Sequence, residues 1–198
     1  MFFSHTLGLE QPKDLKILQQ TTLIKACFYA NFQVEIRNSV FLVPEQDHAQ
    51  RNITFTGQTT YSTGNAPNSV VAADVNGDGK PDIIVGNAGS NNVGVLLNIG
   101  NGTFTTQTTY LTGANPYELT AADVNGDGKT DIIVANYNSN NVGVLLNIGN
   151  GTFTAQTTYS AGSGASCVVV VDVNGDNKPD IIVTNAGSNN VGVLLAYC

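Results

Sequence analysis

Three nine-residue stretches of this sequence carry oxygen-bearing side chains at a spacing suited to binding a metal ion. The first reads Asp-Val-Asn-Gly-Asp-Gly-Lys-Pro-Asp over residues 74–82, and similar stretches follow at 123–131 and 172–180, each 49 positions after the last. An Asp or Asn falls at positions 1, 3, 5 and 9 of every copy. Alternating ligands and free residues allow a short loop to wrap a hard cation such as Ca²⁺, which takes about six to eight oxygens. We call these stretches the acidic loops.

We predict one calcium site in each acidic loop. Glycine at positions 4 and 6 permits the positive φ values that a tight wrap requires. The third loop has Asn177 where the others have Gly79 and Gly128, and Asn tolerates that conformation best after glycine, so we expect this site to persist but to be weaker. The predicted ligands, with Lys contributing its backbone carbonyl, are Asp74, Asn76, Asp78, Lys80, Asp82, Asp123, Asn125, Asp127, Lys129, Asp131, Asp172, Asn174, Asp176, Lys178 and Asp180.

Two other interpretations of the loops compete with calcium binding. An EF-hand opens with the same pattern but needs a bidentate Glu at position 12 and flanking helices. Position 12 is Val85, Val134 or Val183, within apolar β-branched runs typical of buried strands. Segments rich in Asp, Asn and Gly also form turns that bind nothing. Three copies with one oxygen spacing favour the calcium interpretation.

The charge distribution agrees with cation binding. The chain has a formal net charge of −7, and each loop combines three Asp with one Lys, a net −2 that one divalent ion would cancel. The acidic balance and the lack of a basic patch argue against a nucleic-acid partner. No apolar run approaches the roughly 18 residues of a membrane span.

The three cysteines do not follow the repeat. Cys27, Cys167 and Cys198 are an odd number at unrelated places, which predicts at most one disulfide bond rather than a disulfide framework. We expect Cys167 to be a buried thiol.

A 49-residue repeat positions the loops. Residues 90–105 are identical to residues 139–154, so we divide the chain into a poorly defined N-terminal segment, residues 1–51, and three repeats, residues 52–198. Each repeat predicts four strands, which in the second copy cover about residues 118–122, 131–135, 141–147 and 152–159.

The inner strands of each repeat are apolar on both faces, and therefore need cover on both sides. Stacked sheets provide that cover, while the Thr-rich fourth strand suits a solvated outer edge. We therefore predict an all-β fold of β-propeller blades, each with four antiparallel strands. A calcium-dependent β-helix fits less well, because its repeats are far shorter.

The loop, the following Ile-Ile-Val and the Gly-Asn-Gly-Thr-Phe segment resemble the FG-GAP/VCBS repeats of integrin α-subunit propellers and of many secreted or surface proteins. The resemblance covers about residues 53–197. It implies a Ca²⁺ loop between the first and second strands of each blade and an integrin-like, extracellular role in cell adhesion. The Gly-Ala-Pro part of the motif is degenerate and lacks its proline in the third repeat, so integrin-type ligand binding is not implied.

Three repeats are too few for an ordinary propeller, which has about four to eight blades. The third repeat carries only three predicted strands, whereas residues 53–61 read as a spare fourth strand. Three arrangements stay open: part of a longer propeller, a dimer that pairs three blades with three, and a stand-alone array. Exposed terminal blades would promote self-association.

The function predicted from the sequence is a calcium-binding β-propeller module for extracellular adhesion or recognition of protein or carbohydrate. We expect no catalytic residues, because the repeats contain no His and nine of their ten acids lie in the loops. The alternative is the propeller portion of a larger secreted hydrolase or lyase. We expect an extracellular or cell-surface location, although no signal peptide is visible.

Overall fold

The computed structural model describes residues 54–197, and within that range it contains β-strands and turns but no helix. The predicted N-terminal segment, residues 1–51, lies outside the described residues. The described part is all-β and antiparallel, as the strand patterns predict.

Fifteen strands follow the 49-residue repeat. The first repeat contains β1 (Pro67–Ala73), β2 (Asp82–Asn87), β3 (Asn92–Leu96), β4 (Asn98–Gly100), β5 (Thr103–Phe104) and β6 (Thr108–Leu111). The second contains β7 (Pro116–Ala122), β8 (Asp131–Asn136), β9 (Asn141–Leu145), β10 (Asn147–Gly149), β11 (Thr152–Phe153) and β12 (Thr157–Ser160). The third contains β13 (Ala165–Val171), β14 (Asp180–Asn185) and β15 (Asn190–Leu194).

Each repeat forms one main sheet. The first two sheets have four strands, in the orders β1-β2-β3-β6 and β7-β8-β9-β12, and the third has three, β13-β14-β15. Consecutive strands pair antiparallel throughout. The propeller-blade architecture is therefore confirmed, but the three blades do not close into a ring.

The predicted third and fourth strands are interrupted by a small hairpin. In the second repeat β9 ends at Leu145, and β10 and β11 pair as a separate two-stranded sheet before β12 begins at Thr157. Leu146 and Thr154 close the base of this hairpin: the Leu146 amide donates to the Thr154 hydroxyl at 3.1 Å, and the Thr154 amide donates to the Leu146 carbonyl at 2.9 Å. These bonds take the chain out of the main sheet, so the continuous strand expected over residues 152–159 is wrong.

The hydrophobic core lies between the sheets. One cluster joins the first and second sheets through side chains that include Ile84, Val93 and Ile132. A second cluster joins the second and third sheets through Ile133 and Val183 among others. Every residue of β8 is buried, since the middle blade has a neighbour on each face.

The outer face of the third sheet lacks that cover, since Val191 and Val193 are 61% and 50% exposed. Residues 54–61 form no strand, so the spare strand expected at residues 53–61 is absent from the described part of that range. Cys167 is partly exposed and disulfide-bonded, which corrects the expectation of a buried thiol. The described residues contain no helix that is long and apolar enough to cross a membrane.

Candidate cation loops

The three acidic loops occupy equivalent places in the three blades. Each begins directly after the first strand of its sheet and ends at the first residue of the second strand. The loop therefore links two hydrogen-bonded neighbours, which fixes its two ends close together.

Hydrogen bonds from the backbone turn the side chains of the first loop inward. The Asp74 carboxylate accepts from the amide of Gly77 at 2.7 Å and from that of Gly79 at 2.8 Å. The Asn76 side-chain oxygen accepts from the Asp78 amide at 3.0 Å. Because these bonds draw positions 1 and 3 toward the loop backbone, the oxygen-bearing groups share the inner side of the turn.

The same wrap recurs in the other two loops. The first Asp accepts from the amide at position 4 in all three copies, at 2.7 Å each. Position 6 has positive φ throughout: 79° at Gly79, 80° at Gly128 and 63° at Asn177. The expectation that Asn177 adopts this conformation is confirmed.

The Asp at position 9 has a role that the sequence pattern did not reveal. Asp82 is fully buried; one of its oxygens accepts from the Val75 amide at 3.0 Å and the other from the Asn98 amide at 2.7 Å. Asp131 and Asp180 make the equivalent pairs of bonds. This residue ties the start of the loop to the segment that follows the third strand. Since each carboxylate oxygen can accept two bonds, both retain capacity for a cation.

Hydrogen bonding within the loops favours ionised carboxylates. The bond from the Gly79 amide is the main cause that holds the pKa of Asp74 below its usual value. The side-chain bond from Lys80 lowers the pKa of Asp78. Lowered pKa values with corresponding causes are found at Asp127 and Asp172.

Asp131 shows the opposite shift. Burial raises its pKa, and the negative charges of Asp127 and Asp123 add to that effect. The charges of Asp123 and Asp127 are thus close enough to disfavour the ionisation of Asp131. A cation among them would relieve this repulsion.

The donor set fits Ca²⁺ in kind, because every donor is a hard oxygen. Lys80 Nζ lies 3.0 Å from an Asp78 oxygen and Lys129 Nζ 2.8 Å from an Asp127 oxygen, so each lysine holds a carboxylate that a metal would use. In the part of the chain that the structure describes, no three His, Cys, Asp or Glu side chains form a ready metal-binding group. Binding would require the carboxylates to draw together and release the lysines, and the ligand assignment stays a prediction.

The first loop also contacts the next blade. Val75, at position 2, is buried in the core between the first two sheets. The Val75 carbonyl accepts from the Asn147 side chain at 2.8 Å and from the Gly151 amide at 3.0 Å. The loop pattern did not predict this joint, although Val recurs at position 2 of every loop.

Two cavities flank the second blade. One, of about 490 Å³, is lined by residues of the first two loops and their hairpin, among them Asp74, Asn76 and Lys129. The other, of about 530 Å³, lies at the outer strands and is lined by the aromatic rings of Tyr110 and Phe153 with Thr and Gln side chains.

The chain matches one protein-family model three times. The model, described as an FG-GAP-like repeat, aligns with residues 46–85, 75–134 and 123–183. The first two matches each contain one complete acidic loop, and the third contains two. No curated protein sequence matches this chain.

Similar solved structures are toxin assemblies. The Tc holotoxin pore of Photorhabdus luminescens is 24% identical over 63% of this chain, with a TM-score of 0.45. The TcdB2-TccC3 structure, alone and with Cdc42, is 25% identical over 58% of this chain, with a TM-score of 0.42. In each case the aligned region is 6% of the other chain, so this chain spans a small part of those proteins.

Proposed function

Because this chain belongs to the FG-GAP-like repeat family, we propose that it is a Ca²⁺-stabilised, non-catalytic module that recognises protein or carbohydrate outside the cell. The observation that carries the proposal is the common wrap of the three loops. Each turns Asp and Asn oxygens to its inner side and carries a net charge of −2.

Calcium would act at the joints between blades. The first loop buries Val75 against the second blade, and its last residue, Asp82, ties the loop to its own sheet. A bound cation would hold both contacts in place. At ten times its dissociation constant, one site adds about 1.4 kcal/mol and three independent sites about 4 kcal/mol. That sum is a large share of the roughly 5–15 kcal/mol by which domains are stable.

A non-catalytic role is supported by the chemistry of the repeats. Their acids lie in the loops apart from Glu118, and both histidines, His5 and His48, precede the repeats. A hydrolytic triad or a pair of catalytic carboxylates would have to take its residues from the loops or from outside the repeats.

Recognition is supported by the groove on the outer strands. Its cavity of about 530 Å³ places the rings of Tyr110 and Phe153 beside Thr hydroxyls and the Gln156 amide. The partly buried Tyr110 ring next to several polar groups suits a sugar or an extended peptide. An extracellular location is supported by the disulfide at Cys167, because disulfides persist in oxidising compartments, and by the abundance of calcium there.

Thermal unfolding of the full chain in millimolar Ca²⁺ and in excess chelator tests the calcium proposal. We expect Ca²⁺ to raise the melting temperature by roughly 10 °C at ten times its dissociation constant. The double substitution Asp78→Asn with Asp127→Asn should remove most of that gain. Glu118→Gln, which removes a carboxylate outside the loops, is the matched control and should keep it. Coincident melts in Ca²⁺ and chelator would reject calcium binding.

A glycan and peptide array probed with the same protein tests recognition separately. Binding that is lost on Thr158→Arg, which places a long side chain in the outer groove, would support that groove as the ligand site. An array without any binding would reject recognition of these two classes, whatever the calcium result.

A further inference from the structure

The outer edge of the third sheet differs from that of the first two. β3 and β9 each pair with a fourth strand, whereas β15 pairs only with β14 among the described residues. Val191 and Val193 of β15 are 61% and 50% exposed, while their counterparts Val93 and Val95 are 0% and 1% exposed. The edge of β15 thus offers unpaired backbone groups beside exposed apolar side chains, a surface suited to adding a strand.

The missing strand has a sequence counterpart at the other end of the repeats. Residues 54–61 read TFTGQTTY, and residues 103–110 and 152–159 repeat this octapeptide with one change, at its fourth position. The later copies end in β6 and β12, the fourth strands of their sheets. The first copy forms no strand, and its residues 54–60 are exposed.

A glycine and a glutamine fit together wherever the fourth strand is present. A Cβ added to Gly94 would overlap the Gln107 side chain, and one added to Gly143 would overlap Gln156. The glutamine therefore occupies the space above a glycine of the third strand. No glutamine lies near the equivalent Gly192 of β15. The nearest atoms to a Cβ added there are Val183 Cγ1 at 3.2 Å and Asn185 Nδ2 at 3.4 Å.

Tyr61 already occupies the position of a fourth-strand tyrosine. Its hydroxyl donates to the Gly102 carbonyl at 3.2 Å, and its ring lies edge-on to Phe104 at 5.4 Å between centroids. Tyr110 of β6 contacts the next repeat in the same way, with a 3.3 Å hydrogen bond and a 5.3 Å separation from Phe153. The segment is therefore held where a fourth strand stands in front of the first blade, and no inner strands accompany it among residues 54–197.

We propose that residues 58–62 of a second copy of this chain add to β15 as its fourth strand. The pairing of β3 with β6 and of β9 with β12 fixes the register: Thr59 opposite Val193, Thr60 opposite Gly192, Tyr61 opposite Val191 and Ser62 opposite Asn190. The exposed Gln58 side chain then packs against Gly192, as Gln107 packs against Gly94 and Gln156 against Gly143. The contact combines backbone pairing with one side-chain fit, as in other strand-addition interfaces.

Each copy carries both a donor segment, residues 58–62, and an acceptor strand, β15. Each donates its segment to the other, so the edge of β15 gains a fourth strand in both copies. The exchange is therefore a closed dimer rather than an open filament.

The proposal is tested by the mass of the full chain in solution, measured by light scattering across a dilution series in Ca²⁺. We expect twice the 20.7 kDa of one chain. Gly192→Ala should raise the dimer dissociation constant roughly tenfold or more, because its methyl group competes with Gln58 for the same space. The single chain accommodates this methyl group at 3.2 Å or more from its neighbours, so folding should be retained.

Two further variants make the result specific. Gly57→Ala changes the donated segment at a position where an added Cβ meets nothing within 4 Å, and should leave the dimer intact. Gln58→Ala in the Gly192→Ala background should restore dimerisation in part, because it removes the clash. A monomeric wild-type chain, or a dimer equally stable with Gly192→Ala, would overturn the proposal. The calcium proposal is judged by a different measurement and does not depend on this outcome, because Gln58 and β15 lie outside the acidic loops.

Discussion

The amide of Gly151 donates to the carbonyl of Val75 over 3.0 Å, which joins the hairpin of the second repeat to the acidic loop of the first. The Val75 side chain is 3% exposed, whereas Val173, at the same position of the third loop, is 47% exposed. The loop is thus a structural joint wherever another blade follows it.

This difference predicts unequal effects of one substitution. Val75→Ala should lower the free energy of unfolding by about 2 kcal/mol, because it removes buried methyl groups from the core between two blades. Val173→Ala should change it by less than about 0.5 kcal/mol. Urea denaturation of both variants measures the difference, and equal losses would mean that the joint does not carry the stability assigned to it.

The buried carboxylate of Asp82 should matter even without metal. In excess chelator, Asp82→Asn should cost about 1–3 kcal/mol, since an amide offers one acceptor oxygen for two buried amides, those of Val75 and Asn98. Asp78→Asn, in the exposed part of the same loop, should have little effect there. If Asp82→Asn destabilises the chain only in the presence of Ca²⁺, position 9 is a ligand and not a structural tie.

Asn177 tests the backbone conformation of the third loop. Its φ of 63° lies in the left-handed region, where a side chain without a local hydrogen-bonding group costs roughly 1–2 kcal/mol. Asn177→Ala should therefore destabilise the chain by about 1 kcal/mol, and Asn177→Gly should be close to neutral. Chemical denaturation distinguishes the two, and equal stability of both variants would contradict the strain argument.

Ionisation of the partly buried Tyr110 should lower the free energy of unfolding at alkaline pH. Burial raises its pKa above the ordinary 10.0, so the unfolded chain ionises this group at lower pH than the folded chain does. The stabilisation is complete below about pH 10 and is lost as the pH rises through the folded-state pKa. The stability advantage of the wild type over Tyr110→Phe should therefore shrink between about pH 8 and about pH 11. Tyr159→Phe, at an exposed ring, is the control, and an unchanged advantage across this range would refute the prediction.

The repeated sequence determined most of the architecture. Three copies of a loop followed by Ile-Ile-Val, and apolar residues on both faces of the inner strands, specified stacked antiparallel blades. These features are local and recur with one period, so the pattern is readable without knowledge of contacts. The positive φ of Asn177 followed in the same way, because the residue type at a tight turn limits its backbone.

The interruption of the fourth strand was decided by tertiary structure. The sequence of residues 152–159 alternates as a continuous strand would, but Leu146 and Thr154 bond to each other and separate β11 from β12. A hydrogen bond from a backbone amide to a side-chain hydroxyl eight residues away leaves no periodic pattern in the sequence.

What the sequence alone determined is therefore the blade, its loop and its oxygen donors, since each depends on residues close together along the chain. Tertiary structure decided which groups meet: Val75 with Gly151, Asp82 with Asn98, and Tyr61 with Phe104. It also decided that Val93 is buried while Val191, its counterpart two repeats later, is exposed. The same local sequence is buried where another sheet packs against it and exposed where none does. Its burial therefore depends on the neighbouring sheet and not on the residue type.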